Sequence, residues 1–367
     1  MNILAIESSC DETAAAIVKD GSEILSNVVV SQIDIFKSHG GVIPEVAARS
    51  HLETIMPVIR QAFAEAELTW DDIDAIAVTH TPGLLGSLLI GTLTARTLAI
   101  LHNKPLYAVH HLKSHIYACW LGNAVPNFPL LALVVSGGHT QIIYMKKHND
   151  FKIIGTTRDD AVGECYDKVA KILGLPYPGG PSIAKAAKHG NPEKYHLPHP
   201  KLDNPYDFSF SGLKTAVLRA VQKELGKPIS FPSHELAPLL SEQQIADFAA
   251  SFQKTATDIL LENLQSAYQN YQNINSIVIA GGVSANTMLR EKTFKVFSEE
   301  YKRSAAGVRS TPRVTLKENT LKVFFPNIGF SGDNAAMVAA AAYHEIKSGV
   351  RPTDPYHLTL APRSEIR

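Results

Sequence analysis

The stretch MNILAIESSCDETAAAIVKDG, residues 1–21, decides the fold. Ile3 to Ile6 is an apolar run, Glu7 to Thr13 is a polar turn, and Ala14 to Val18 is apolar again before Lys19-Asp20-Gly21 breaks the chain. Two short apolar runs around a tight polar tip read as a β-hairpin. About 130 residues later the plan recurs: Leu130 to Val135, the tip Ser136-Gly137-Gly138-His139-Thr140, then Gln141 to Met145. Two such hairpins point to an internal duplication, or else to a chance likeness of two buried hairpins.

Outward from these hairpins, strands alternate with helices. Pro44 to Ala66 reads as a helix with Pro57 as a possible kink, and Asp74 to Thr79 as a strand. Leu106 to Val109 is a strand leading into His110 to Trp120. Glu164 to Leu173 and Ile245 to Tyr271 are helical by periodicity, Ser276 to Ala280 is a buried strand, and a last helix covers Asp333 to Lys347. Alternation of this kind predicts an α/β fold. Three stretches read as loops: Tyr177 to Ser182, His196 to Phe208, and a basic segment over 290–322 with nine Lys/Arg against four Glu.

Composition narrows the function classes. The 367 residues are 45% hydrophobic and 19% charged, which excludes a disordered chain. Formal net charge is zero, so contact with nucleic acid must come from a local patch such as 290–322. Three cysteines without a C-x-x-C pair argue against a disulfide scaffold or a Cys-type zinc site and fit a reducing compartment. The N-terminus lacks a basic, apolar leader. The apolar stretch Leu84 to Leu101 carries Ser87, Thr92, Thr94 and Arg96, too polar for a membrane span, and reads as a buried helix. The expectation is a cytoplasmic protein with no membrane contact.

Several groups could carry chemistry. His111 and His115 are four apart, so on a helix they share a face and can reach one divalent ion; the alternative is two partly buried histidines satisfied by backbone. Asp333, before an Ala-rich helix, is either the third ligand or a helix N-cap. Ser136 to Thr140 offers glycine amides and hydroxyls to an anion, or is a plain turn. Gly281-Gly282, Asn286, Asp167 and the Pro178–Pro181 loop offer close backbone approach and ribose partners, and together suggest a nucleotide cleft between two similar halves. A G-x-x-x-x-G-K-[ST] loop, a G-x-G-x-x-G after the first strand and a G-x-S-x-G elbow are all missing from the sequence.

Seven segments resemble one family in order: Glu7–Thr13, Gly40–Arg49, Thr81–Ser87, His110–His115, Val135–Thr140, Phe208–Thr215 and Gly281–Asn286. The family is the bacterial tRNA N6-adenosine threonylcarbamoyltransferases, TsaD, once labelled glycoproteases. The resemblance implies the duplicated ribonuclease-H-like fold of actin, Hsp70 and sugar kinases. It divides the chain into a first lobe over 1–125 with the C-terminal helix packed back on it, a second lobe over 126–350 with inserted helices and a basic loop near 296–322, and a tail over 351–367. It implies transfer of a threonylcarbamoyl group from threonylcarbamoyl-adenylate to the N6 amine of the adenosine 3′-adjacent to the anticodon, in tRNAs reading ANN codons, with release of AMP.

The same resemblance places a divalent metal, Fe2+ or Zn2+, on His111, His115 and Asp333. It places the adenylate, or ATP or AMP, on Val134, Val135, Ser136, Gly137, Gly138, Asp167, Gly180 and Asn286. Asp11 and Glu12 fall in the first motif as candidate catalytic groups. Implied partners are tRNA, the paralogous dimerisation partner TsaB and the ATPase TsaE, with the adenylate supplied by a TsaC-type synthase. This chain has Ser331-Gly332 where many relatives carry Cys-Thr, and the 296–322 stretch is longer than usual. That stretch either touches tRNA phosphates or is a surface loop. The competing functions are an ATP-dependent phosphotransferase of the sugar-kinase type and a metalloendopeptidase; the second lacks the glutamate of H-E-x-x-H.

Overall fold

The computed structural model describes residues 1–37, 40–122, 125–306, 321–363 and 366. The chain divides into two compact units: Met1–Val125 with Met145–Lys152 and Pro326–Arg367, and Pro126–Tyr144 with Ile153–Phe325. The sequence reading bounds the second lobe at 350 with the C-terminal helix packed back on the first; in the structure the whole of Pro326–Arg367 groups with the first unit.

In the first unit, β1 (Asn2–Glu7), β2 (Glu12–Lys19), β3 (Glu23–Ser31), β4 (Ala75–Thr81) and β5 (Leu106–His110) form one sheet in the order β3-β2-β1-β4-β5. β1 and β2 are the expected hairpin, antiparallel with Ala5 opposite Ala16. β1, β4 and β5 run parallel. Strands so placed are covered on both faces, which is why Ile3 to Ile6 is an unbroken apolar run rather than an alternating one. One face carries α2 (Pro44–Ala66) and α3 (Leu85–Leu101): Leu4, Ile6, Ile17 and Val78 pack with Ile55, Ile59, Ala95 and Leu98. Each fully buried Leu or Ile side chain contributes about 1.5–3 kcal/mol. Pro44 begins α2 at its first turn, where no amide donor is needed, and the helix runs through Pro57. The short helices α1 (Ile33–Lys37) and α4 (His111–Tyr117) follow β3 and β5.

The C-terminal helix, numbered α10 in chain order (Ala335–Lys347), packs on β1, β2 and α4. Its Ala339 to Ala342 are fully buried, and these small side chains let the helix lie close on the sheet. That packing puts 326–350 in the first unit. The expectation for α3 also changes. Leu85, Leu89, Leu93, Ile100 and Leu101 are exposed, so the helix buries one face and presents an apolar stripe on the other.

The second sheet repeats the first. β6 (Leu130–Val135), β7 (Thr140–Lys147), β8 (Asp150–Thr156), β9 (Ser276–Ala280) and β10 (Lys322–Phe324) lie in the order β10-β9-β6-β7-β8. Read from its other edge this is the order of the first sheet, strand for strand. The duplication inferred from two hairpins is therefore a duplication of whole sheets. α5 (Val162–Ile172), α6 (Gly179–Ala187), α7 (Ser211–Glu224), α8 (Glu242–Asn270) and α9 (Thr287–Ala306) complete this unit. α8 opens with a reciprocal Ser241–Gln244 capping box. Its Phe248, Phe252, Ile259 and Leu260 join a core with Leu131, Leu133, Val169 and Phe210.

Two loop expectations are corrected here. The Tyr177–Ser182 breaker cluster ends at Pro178, and Gly179-Gly180-Pro181 is the first turn of α6. Residues 290–306 of the basic stretch belong to α9 and Lys322 begins β10, while 307–320 lie outside the described residues.

Candidate functional site

The first unit gathers His111, His115 and Asp333. His111 is the first residue of α4, which begins where the His110 ring accepts a bond from the Leu112 amide (3.2 Å). His115 follows one turn later, and the two rings meet edge to face at 4.6 Å. Asp333 Oδ1 stands 3.5 Å from His111 Nε2 and 3.1 Å from His115 Nε2. One ligand atom from each residue lies within 4.8 Å of the others, the one such grouping of three among the described residues. Asp333 is not the helix cap the sequence allowed. Asn334 takes that position and accepts from the Met337 amide at 3.0 Å, which leaves the neighbouring carboxylate to face the histidines.

The surroundings explain the state of each group. Burial works against charge on His111, but Asp333 and Glu7, with a hydrogen bond to Glu7, outweigh it and raise the ring to about 9. Glu7 is fully buried, and although burial alone would raise it, the paired His111 and a bond from Thr79 hold it below the ordinary range. Glu12 opens β2 and accepts from Ser31 Oγ at 3.1 Å. Burial, Asp333 and Asp11 push Glu12 well above the usual carboxyl value. Burial, Asp11 and Asp333 likewise raise Cys10, so it offers a thiol rather than a thiolate. Glu12 and Cys10 thus sit close enough to Asp333 to feel its charge, with Asp11 between them in the chain.

The donor set fits a divalent metal. Both ring nitrogens of His115 are buried; Nδ1 makes no hydrogen bond, and Nε2 meets Asp333 Oδ1 at 3.1 Å without hydrogen-bond geometry. An unsatisfied buried polar group costs about 1–3 kcal/mol, so a ring held this way needs a further partner. Two imidazoles and one carboxylate suit Zn2+ or Fe2+ and leave coordination positions open.

The second unit holds a pocket of about 440 Å³. Gly137 from the β6–β7 turn, Tyr166 and Asp167 from α5, Gly180, Lys185 and Lys188 from the α6 region, and Gly282 and Asn286 after β9 all line it. A Cβ added at Gly137, Gly180 or Gly282 would meet nothing within 4 Å. These glycines leave bare backbone against open space, where a flat ring can lie. Other glycines hold the walls together. A Cβ on Gly179 would fall 2.5 Å from Asp167 Cα, and one on Gly281, at φ 90°, would fall 2.4 Å from the Val135 carbonyl oxygen. Asp167 Oδ1 accepts from the Gly179 amide (2.6 Å), and Asn286 donates to Gln253 Oε1 (2.8 Å) while its carbonyl accepts from the Leu289 amide (3.1 Å).

Of the eight residues singled out for a nucleotide, Gly137, Asp167, Gly180 and Asn286 line this pocket. Val134 and Val135 are fully buried in β6, and Val134 pairs with Ala280, so they support the wall from behind. Ser136 and Gly138 lie in the turn without lining it. Sequence reading passed over Lys185 and Lys188, visible as cations one helical turn apart after the Gly-Gly-Pro start of α6, and Glu7, the polar residue that ends the first strand.

The fold and the His–His–Asp grouping define the class: a duplicated α/β protein whose two sheets share one strand order, with a candidate metal site in one unit and a glycine-walled pocket in the other. HypF of T. kodakarensis shares the fold, with a TM-score of 0.59 at 14% identity over 95% of this chain and 48% of that one. The chain belongs to the TsaD family of tRNA N6-adenosine threonylcarbamoyltransferases, whose family model matches residues 23–340. A tRNA N6-adenosine threonylcarbamoyltransferase of Symbiobacterium thermophilum is 47% identical over 349 residues, covering 95% of this chain and 93% of the relative. One of Bacillus cereus is 47% identical over 352 residues, covering 96% and 93%. No helix among the described residues is long and apolar enough to cross a membrane.

Proposed function

We propose that this protein transfers a threonylcarbamoyl group from threonylcarbamoyl-adenylate to the N6 amine of the adenosine 3′-adjacent to the anticodon in tRNAs reading ANN codons. The observation that carries the reading is the 47% identity to transferases of that name along nearly the whole chain. It favours transfer over the phosphotransferase and endopeptidase readings.

In the reaction the adenosine amine attacks the carbamoyl carbon, the bond from that carbon to the phosphate oxygen breaks, and AMP leaves with the electron pair while the amine loses a proton. The second-unit pocket is the proposed seat of the adenylate. Gly180 and Gly282 give backbone against which the base can lie, and Asp167 and Asn286 supply polar groups for the ribose. Lys185 and Lys188 place positive charge where an anion is bound. The Ser136 amide closes its turn onto the His139 carbonyl (2.8 Å), which leaves the Gly137 amide outside that bond and available to a phosphate oxygen.

His111, His115 and Asp333 would hold one Fe2+ or Zn2+. Bound there, the ion would supply Lewis-acid polarisation of an oxygen. Asp11 and Glu12 are proposed to assist at the same end of the first unit. Burial and the charges of Asp333 and Asp11 raise the Glu12 carboxyl well above the usual value, so it holds its proton more tightly than an ordinary glutamate. The paralogous partner TsaB is proposed to dock on the exposed stripe of α3, where Leu85, Leu89 and Leu93 stand one turn apart beside Leu52 and Met56 of α2. TsaE and a TsaC-type synthase complete the set, with the reaction in the cytoplasm.

A single-turnover assay tests the proposal, using purified protein, unmodified tRNA and adenylate made in situ, with nucleoside mass spectrometry as the readout. Threonylcarbamoyladenosine should form with this chain and its partners, and should be lost with His111→Ala. No product with every partner present would overturn the reading.

A further inference from the structure

We propose that Glu7 is the positioning residue of the His–His–Asp centre: it fixes the His111 ring with Nε2 toward Asp333, and Thr79 fixes Glu7 in turn. The inference rests on the metal reading of that centre.

The side chain of Glu7 is fully buried, an expensive place for a carboxylate unless donors surround it. Three do. Glu7 Oε1 accepts from the Ser9 amide at 2.6 Å. Glu7 Oε2 accepts from Thr79 Oγ1 at 2.6 Å and faces His111 Nδ1 at 3.1 Å. Ser9 Oγ stands 3.2 Å from the same nitrogen. An ionised carboxylate only accepts, so the proton of a neutral His111 sits on Nδ1 and the Nε2 lone pair is directed to the Asp333 side.

Topology makes the relay rigid. Glu7 ends β1, Thr79 lies in β4 and His111 follows β5 directly, and these three strands are parallel neighbours in the sheet. In the ladder Ile6 pairs with Val78 and Thr79 with Val109, so the three polar residues emerge side by side at one end. A carboxylate that orients a ligating imidazole through its other nitrogen is the usual outer support of a metal site. Fold stability alone gives no reason for it, since a well-packed apolar residue serves a buried position at least as well as an ion pair. His115 has no such support, because its Nδ1, the nitrogen turned away from Asp333, lacks a hydrogen-bond partner. Fixing His111 therefore fixes the bite of the pair.

The test uses full-length protein stripped of metal and titrated with Zn2+ against a chromophoric chelator, with thermal unfolding of the metal-free form beside it. Glu7→Gln should weaken Zn2+ binding about 10–100-fold, and Thr79→Val by a smaller factor, with the metal-free form lowered in melting temperature but still folding cooperatively. Zn2+ affinity equal to the parent in Glu7→Gln would overturn the proposal. If Glu7→Gln does not fold, Thr79→Val decides, and unchanged affinity there overturns it equally. His115→Ala separates the two levels: if it leaves Zn2+ binding intact, the metal reading fails and this inference with it. If it abolishes binding while Glu7→Gln does not weaken it, the positioning role alone fails.

Discussion

Gly179 and Gly180 are adjacent, and the structure gives them opposite consequences. A methyl group at position 179 would fall 2.5 Å from Asp167 Cα and the Tyr166 carbonyl oxygen, both backbone atoms of α5. Ordinary contact begins near 3.4 Å, so α6 and α5 must separate by nearly an ångström. Overpacking of that kind costs about 1–3 kcal/mol. In a unit of this size that is a melting-temperature drop of roughly 2–12 °C. A methyl group at 180 meets nothing within 4 Å, and alanine is better than glycine in a helix by up to about 1 kcal/mol. Gly180→Ala should therefore melt at or slightly above the parent temperature. Position 180 also lines the pocket, so Gly180→Leu should fill it and weaken AMP binding at least about tenfold, near 1.4 kcal/mol. Differential scanning fluorimetry and calorimetric titration with AMP read both effects. Equal destabilisation by Gly179→Ala and Gly180→Ala would refute the geometric argument. Parent-like AMP affinity in Gly180→Leu would remove the nucleotide from this pocket.

Asp333 and Asn334 form a second contrasting pair. Asn334→Ala removes the α10 cap and should cost about 1 kcal/mol in chemical denaturation with metal content unchanged, whereas Asp333→Ala should abolish metal uptake and cost little stability. Burial, helped by the neighbouring His148, lowers His344 to about 4, with the ring stacked on His148 at 4.1 Å and on Tyr117 at 5.0 Å. Its folded pKa lies below the unfolded one, so its contribution is present above about pH 6.5 and is lost as pH falls toward 4. The loss is on the order of 2–3 kcal/mol, and the stability–pH curve of His344→Phe should lack it. Glu at both Leu89 and Leu93, which are 41% and 43% exposed, should leave monomer stability within about 0.5 kcal/mol and abolish co-purification with the proposed partner TsaB. Unimpaired assembly would move the docking face elsewhere.

How much of this was legible in the sequence depends on the range of the forces involved. The β1–β2 and β6–β7 hairpins, α2 over Pro44–Ala66 and β9 over Ser276–Ala280 stand where local periodicity placed them, because apolar spacing and breakers act within a few residues. The i, i+4 spacing put His111 and His115 on one face for the same reason. Errors arose where a distant neighbour intervened. Gly179-Gly180-Pro181 looks like a loop by composition, yet Gly179 packs against α5 and opens α6. Leu84 to Leu101 looks buried by hydropathy, yet nothing in the sequence says that one face of α3 is left open.

The sequence by itself determined the duplication, the α/β class and the identities of the candidate ligands, since these follow from local pattern and motif order. Only the tertiary structure decided that Asn334 rather than Asp333 caps α10, and that Glu7, Thr79 and His111 meet although they are more than 70 and 100 residues apart. The reason is physical. A carboxylate's role is set by which donors reach it, and those donors are delivered by strand order, which is a property of the whole sheet.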